Sequence, residues 1–61
     1  MNAIKKLRLK SGYTQSEISK ILNISRSTIA KWETGESKPR AEKLPRLAKI
    51  LSCSIDDLFK L

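Results

Sequence analysis

Histidine is absent from this sequence, and cysteine occurs once, as Cys53. One thiol cannot close an internal disulfide, and no His/Cys cluster has metal-ligand spacing, so neither a disulfide framework nor a metal site is expected. Cys53 reads as a small buried apolar residue, the alternative being a redox-active or cross-linking thiol. Such cysteine usage fits a cytoplasmic, reducing setting. Long apolar runs are missing too, and a run of a few residues cannot span a bilayer. Met1 leads directly into Ile4-Lys5-Lys6-Leu7, an amphipathic stretch without the apolar core of a secretory leader, so no membrane partner is expected. Glycine and proline are limited to Gly12, Gly35, Pro39 and Pro45, which leaves no linker, repeat or low-complexity segment. There is no nucleophile–base pair and no glycine loop that could cradle a phosphate, so the reading is not an enzyme, and no cofactor or small-molecule ligand is expected.

Positive charge is what the chain has in excess. Thirteen basic residues against six acidic ones give a net charge of +7. That favours a polyanionic partner, although a solvated basic surface would show the same balance. At 61 residues the chain is read as one domain, 1–61. A domain of this size buries only about 60% of its unfolded surface and is marginally stable.

The punctuation divides the chain into five short helices, and strand signals are weak. The first is expected from about Asn2 to Ser11, with Ile4 and Leu7 inward, Leu9 off the buried face, and Gly12 at the left-handed C-terminal position. Thr14-Gln15-Ser16-Glu17 matches a capping box opening the second helix, with Tyr13 and Ile18 placed for a hydrophobic staple. Its apolar face is Ile18, Ile21 and Leu22, and it ends at Asn23, a residue that tolerates the left-handed conformation. Ser25 caps the third helix, which runs to about Glu33 or Thr34 before Gly35, with Ile29 and Trp32 inward. Glu36 to Arg40 form a polar loop. The fourth helix carries Leu44, Leu47, Ala48 and Leu51. Proline is tolerated only in a first turn, so Pro45 sets its start near Glu42 to Leu44, after a tighter lead-in. The fifth opens at Ser54, with Asp56 and Asp57 in the turn where the helix dipole favours anions.

Function concentrates in Gln15 to Thr34. Ile18, Leu22, Ile24, Ile29 and Trp32 fix two short helices at a steep angle, with small Ser19 at their crossing and the second helix raised on the surface. A raised helix can enter a major groove N-terminal end first. Arg26, Ser27, Thr28, Ala30 and Lys31 are left outward, and none is acidic. Arg26 can donate two hydrogen bonds to guanine, Ser27 and Thr28 can bond either base type, and Lys31 can reach a base or a phosphate.

This arrangement resembles the Cro/repressor (XRE-type) helix-turn-helix family of phages and bacteria. The residues that carry the resemblance are Arg8, Gly12, Thr14-Gln15, Leu22-Asn23-Ile24-Ser25, the run from Ser25 to Ile29, Glu33-x-Gly35, Pro39, Leu47-Ala48, and Ser54 to Phe59. It covers nearly the whole chain, and order and spacing are more specific than any one motif. It implies a compact, all-α, five-helix DNA-binding domain with the helix-turn-helix at helices 2 and 3. It implies base reading by Arg26, Ser27 and Lys31, to which Thr28 is added from its own place on the outward face. It implies DNA-backbone contacts by Gln15, which would also brace the recognition helix, and by Ser25, Thr34, Lys38 and Arg40; Arg40 could instead reach a minor groove. Arg8 and Glu33 match a structural ion pair. The chain departs from the family pattern at Asn23, where Gly is common, at Ser19, where Ala is common, at Pro45, and at Ser52-Cys53, where Gly-Val is frequent.

The leading reading is therefore a transcriptional regulator, a repressor that binds a palindromic double-stranded operator as a homodimer. Ile55, Leu58, Phe59 and Leu61 crowd the last residues. Leu61 with part of Phe59 or Leu58 is expected at the dimer interface, unless all of them complete the monomer core. Two other readings compete. A protein-interaction module on the same fold would favour an acidic or apolar third helix. A sequence-specific RNA-binding module would want exposed aromatics, and Trp32 and Phe59 read as core.

Overall fold

The computed structural model describes residues 3–58. Asn2, placed in the first helix above, and Phe59 and Leu61, placed at a dimer interface, lie outside them. Among the described residues there are five α-helices and no strand: α1 (Ala3–Ser11), α2 (Gln15–Leu22), α3 (Arg26–Thr34), α4 (Leu44–Ile50) and α5 (Ile55–Leu58). No helix among them is long and apolar enough to cross a membrane.

Each boundary has a local cause. Gly12 closes α1 at φ +82°, and the amide of Tyr13 donates to the carbonyl of Arg8 at 3.3 Å. A left-handed residue can turn the chain back there, and glycine has no Cβ to oppose it. The capping box of α2 is formed in both directions. The Glu17 amide donates to Thr14 Oγ1 at 3.0 Å, and the Thr14 amide donates to Glu17 Oε1 at 2.8 Å. Asn23 ends α2 in the left-handed region, φ 57°. The Ile24 amide then donates to the Ser19 carbonyl at 2.9 Å, which draws the turn tight under the helix. A 3-10 turn, Ala41–Lys43, leads into α4, and Pro45 falls in its first turn, where its missing N–H would have had no intrahelical partner. Ser54 and Asp57 cap α5 reciprocally, each side chain accepting from the other's amide at 3.1 Å.

The core is built from Ile4, Ile18, Leu22, Ile29, Trp32, Leu47, Ala48, Leu51 and Leu58. Every helix contributes to it, and Leu7, Tyr13, Ile24, Leu44, Ile50 and Cys53 pack around its edge. Ser19 is buried among them, and its hydroxyl donates to the Ser16 carbonyl at 2.7 Å, so no orphan donor results.

Three expectations change. Ile21 is 38% exposed. It shares the face of Ile18 by helical period but lies at the rim, where no facing element covers it. Leu58, expected at a dimer interface, is 7% exposed and sits in the monomer core, because α5 folds back onto α1 and α4. Cys53 is half-buried rather than enclosed. Burial, and after it the nearby Asp57 carboxylate, push its thiol pKa up, which disfavours the thiolate. Leu9 points outward at 57% exposure.

Candidate nucleic-acid interface

The surface begins with how α3 is held. Ile29 and Trp32 anchor its inner face in the core, and the third inward residue is a carboxylate, Glu33. Glu33 and Arg8 are 6% and 8% exposed and form an ion pair across α3 and α1. The pair is bidentate. Arg8 Nε donates to Glu33 Oε2, and Nη2 donates to Oε1 at 3.2 Å. Arg8 Nη1 donates to the Tyr13 carbonyl at 3.0 Å, so the guanidinium ties α1, the α1–α2 turn and α3 together. Gln15, the first residue of α2, joins the cluster through Nε2, which donates to Glu33 Oε1 at 2.9 Å. Two buried charges are tolerated when they are paired and their remaining lone pairs are filled. No buried side-chain polar atom among the described residues lacks a partner.

With its inner face fixed, α3 exposes Arg26, Ser27 and Lys31, while Thr28 and Ala30 are half-buried. The N-terminal end of the helix is ringed by hydroxyls. Ser25 Oγ accepts from the Thr28 amide at 3.2 Å, and lies 2.8 Å from Thr28 Oγ1 and 3.0 Å from Ser27 Oγ. Thr28 is thus turned partly toward the cap, whereas Ser27 stays in the open. Helix N-termini present unpaired amides and a partial positive charge, which suits an anion.

A groove of about 380 Å³ runs beside α3, lined by Ile24, Thr28, Trp32, Ser37, Lys38, Arg40, Glu42 and Lys43. It brings together Thr28, Lys38 and Arg40 from the expected set. The loop that forms it is fixed where the Ser37 amide donates to the Lys31 carbonyl at 3.3 Å. Thr34 lies at the other end of α3, its hydroxyl donating to the Lys31 carbonyl at 3.1 Å and accepting from the Glu36 amide at 3.4 Å. Lys43 was not anticipated. Its Nζ donates to the Leu22 carbonyl at 3.4 Å, capping the C-terminus of α2 from the lead-in to α4. Among the described residues no group of His, Cys, Asp or Glu could hold a metal ion.

The helix-turn-helix family pattern matches residues 4–58. This chain belongs to the XRE-type helix-turn-helix family. Among its relatives, the HTH-type transcriptional activator BcrR of Enterococcus faecalis is 36% identical over 56 residues, 92% of this chain and 28% of that protein. The SPbeta prophage-derived uncharacterized HTH-type transcriptional regulator YonR of Bacillus subtilis (strain 168) is 37% identical over 57 residues, 93% of this chain and 53% of that protein. An uncharacterized HTH-type transcriptional regulator of Archaeoglobus fulgidus is 34% identical over 56 residues, 92% of this chain and 80% of that protein. The chain thus spans roughly a quarter to a half of the first two relatives and most of the third. No solved structure matched. In helix-turn-helix terms α2 and α3 are the two helices of the motif, and the groove beside α3 is lined in part by the loop that follows it.

Proposed function

We propose that this chain is the sequence-reading domain of a DNA-binding transcriptional regulator. One observation carries the reading: α3 is anchored by Ile29, Trp32 and Glu33, and leaves Arg26, Ser27 and Lys31 exposed beyond the core, with no acidic residue among positions 26 to 32. A helix presented this way fits the major groove with its N-terminal residues at the base edges. Arg26 takes the bidentate guanine contact, Ser27 and the accessible part of Thr28 bond either base type, and Lys31 reaches a base or phosphate one turn on. Gln15, Ser25, Thr34, Lys38 and Arg40 surround these residues and supply the phosphate contacts that set register.

One recognition helix reads few base pairs. The proposal therefore includes a homodimer on a palindromic operator, with half-sites about 34–36 Å apart. Among the described residues of α5, Ile55, at 39% exposure, is left for such a contact now that Leu58 is in the core, beside Phe59 and Leu61, which the sequence places there. Occupation of a promoter by this dimer in the cytoplasm would make the protein a repressor.

Selection of bound fragments from random DNA tests the reading. Enrichment of an inverted repeat, with two protected half-sites and a sedimenting complex of two chains, is the expected result. Failure to enrich any sequence over random DNA would leave the fold to a protein-interaction role.

A further inference from the structure

The buried ion pair is joined by a half-buried side-chain amide, Gln15. Glu33 Oε1 accepts two hydrogen bonds, from Arg8 Nη2 at 3.2 Å and from Gln15 Nε2 at 2.9 Å. A carboxylate is an acceptor only, so the Gln15 amide has one orientation available: Nε2 toward Glu33, and Oε1 away from it. This settles the nitrogen–oxygen assignment by chemistry. One of the two Nε2 hydrogens is then engaged by Glu33, and the second remains for a ligand at the N-terminus of α2. Gln15 is half-buried, so the residue is not enclosed by the core.

We propose that Glu33 is a positioning residue for DNA binding, acting through the Gln15 amide. Glu33 holds Nε2 so that its second N–H points at a DNA phosphate. Arg8 completes the device by neutralising a carboxylate that would otherwise repel that phosphate from a short distance. The ion pair thereby links the burial of α3 to one contact on α2, and the two helices are set on the duplex in a fixed relation. This inference rests on the DNA reading of the helix-turn-helix.

Gln15 is the sole glutamine of the chain and Asn2 and Asn23 its two asparagines, so three side-chain amide pairs are to be assigned and Gln15→Ala identifies the one that belongs to Gln15. In the NMR spectrum of the full chain without DNA, one Nε2 proton should be shifted from the value of a free glutamine amide and slow to exchange, and it should return to the free value in the Arg8→Met, Glu33→Leu variant, which has no acceptor at position 33. Binding is then measured on a duplex recovered by wild-type selection, for Gln15→Ala, Glu33→Gln and the double variant. Each single change should weaken binding about ten-fold, one decade of the affinity scale. The double variant should be no weaker than the weaker single. Multiplicative losses in the double variant would overturn the positioning role. Gln15→Asn keeps the amide but shortens its reach to Glu33, and it tests the same point if Glu33→Gln does not fold. Wild-type affinity in that variant would overturn the proposal, and a loss equal to that of Gln15→Ala would support it. A wild-type chain that binds no duplex would overturn the DNA reading and the proposal's DNA half. Two Nε2 protons at the shifts and exchange rates of a free glutamine amide would overturn the Glu33–Gln15 contact itself.

Discussion

The helix-turn-helix half of the molecule and the half that follows it are held by different means. From α1 to α3 the packing of Ile4, Ile18, Leu22, Ile29 and Trp32 is supplemented by the Arg8–Glu33–Gln15 cluster. That cluster allows one relative placement of three helices. From the 3-10 turn to α5 the contacts are mostly apolar, through Leu44, Leu47, Ala48, Leu51 and Leu58, and the helices are shorter. Apolar contacts are non-directional, whereas a bidentate ion pair with a filled third partner is not. The directional set lies under the surface that would read DNA, where an error in helix angle would move Arg26 away from a base edge. The second half covers the core and meets the first through single neutral-acceptor bonds, Lys43 Nζ to the Leu22 carbonyl and Ser11 Oγ to the Leu51 carbonyl, rather than through an ion pair.

The comparison can be broken at either side. Glu33→Ala strands a buried guanidinium, a loss of about 3–5 kcal/mol. For a domain this small that is most of its stability. Urea unfolding followed by circular dichroism should show a chain largely unfolded without denaturant. Replacing both partners by apolar residues, Arg8→Met with Glu33→Leu, should recover much of the loss in the same measurement, because no unpaired charge remains. Leu47→Ala, in the second half, removes a fully buried side chain and should cost about 2–5 kcal/mol. Unlike loss of the ion pair, it should not change base preference in any population that stays folded. A competition assay checks this.

Backbone strain separates the halves more gently. Left-handed residues close the helices at Gly12, Asn23 and Gly35 in the first half, and at Ser52, φ 54°, in the second. Serine is the least suited of the four, and Ser52→Gly should raise stability by up to about 1 kcal/mol, read as a higher thermal midpoint. Asn23→Gly should do less, since asparagine tolerates this region. The smallest effect is chemical. Because burial and Asp57 push the Cys53 pKa up, its thiolate is scarcer at any pH below that value. Alkylation near pH 8 should be slower than for the unfolded chain, and equal rates would contradict the cause given.

The helix boundaries were legible in the sequence because their causes are local. Thr14 with Glu17, Ser54 with Asp57, Gly12, Gly35, Asn23 and the position of Pro45 each act within a turn of the residue they constrain. The exposed face of α3 was legible for the same reason, since helical period separates Arg26 and Lys31 from Ile29 and Trp32, although Thr28 and Ala30, expected outward, are half-buried. Period gives the face of a helix but not what covers it, and so Ile21 and Leu58 were placed on the wrong side of the rim. Contacts between distant positions were hidden as well. The Lys43–Leu22 bond joins residues 21 apart, and the Gln15–Glu33 bond residues 18 apart, with no spacing rule to announce either. The pairing of Arg8 with Glu33 was anticipated only through resemblance to the family.

The central claim is that α3 reads bases through Arg26 and that the surrounding cations only hold the backbone. It is tested most directly by measuring specific and random DNA in competition for wild type, Arg26→Ala and Lys38→Ala across a range of salt. Arg26→Ala should lose about 1–3 kcal/mol of discrimination at one base pair in each half-site. Lys38→Ala should weaken both DNAs equally and flatten the salt dependence. Unchanged base preference in Arg26→Ala, or a preference altered by Lys38→Ala, would contradict the account.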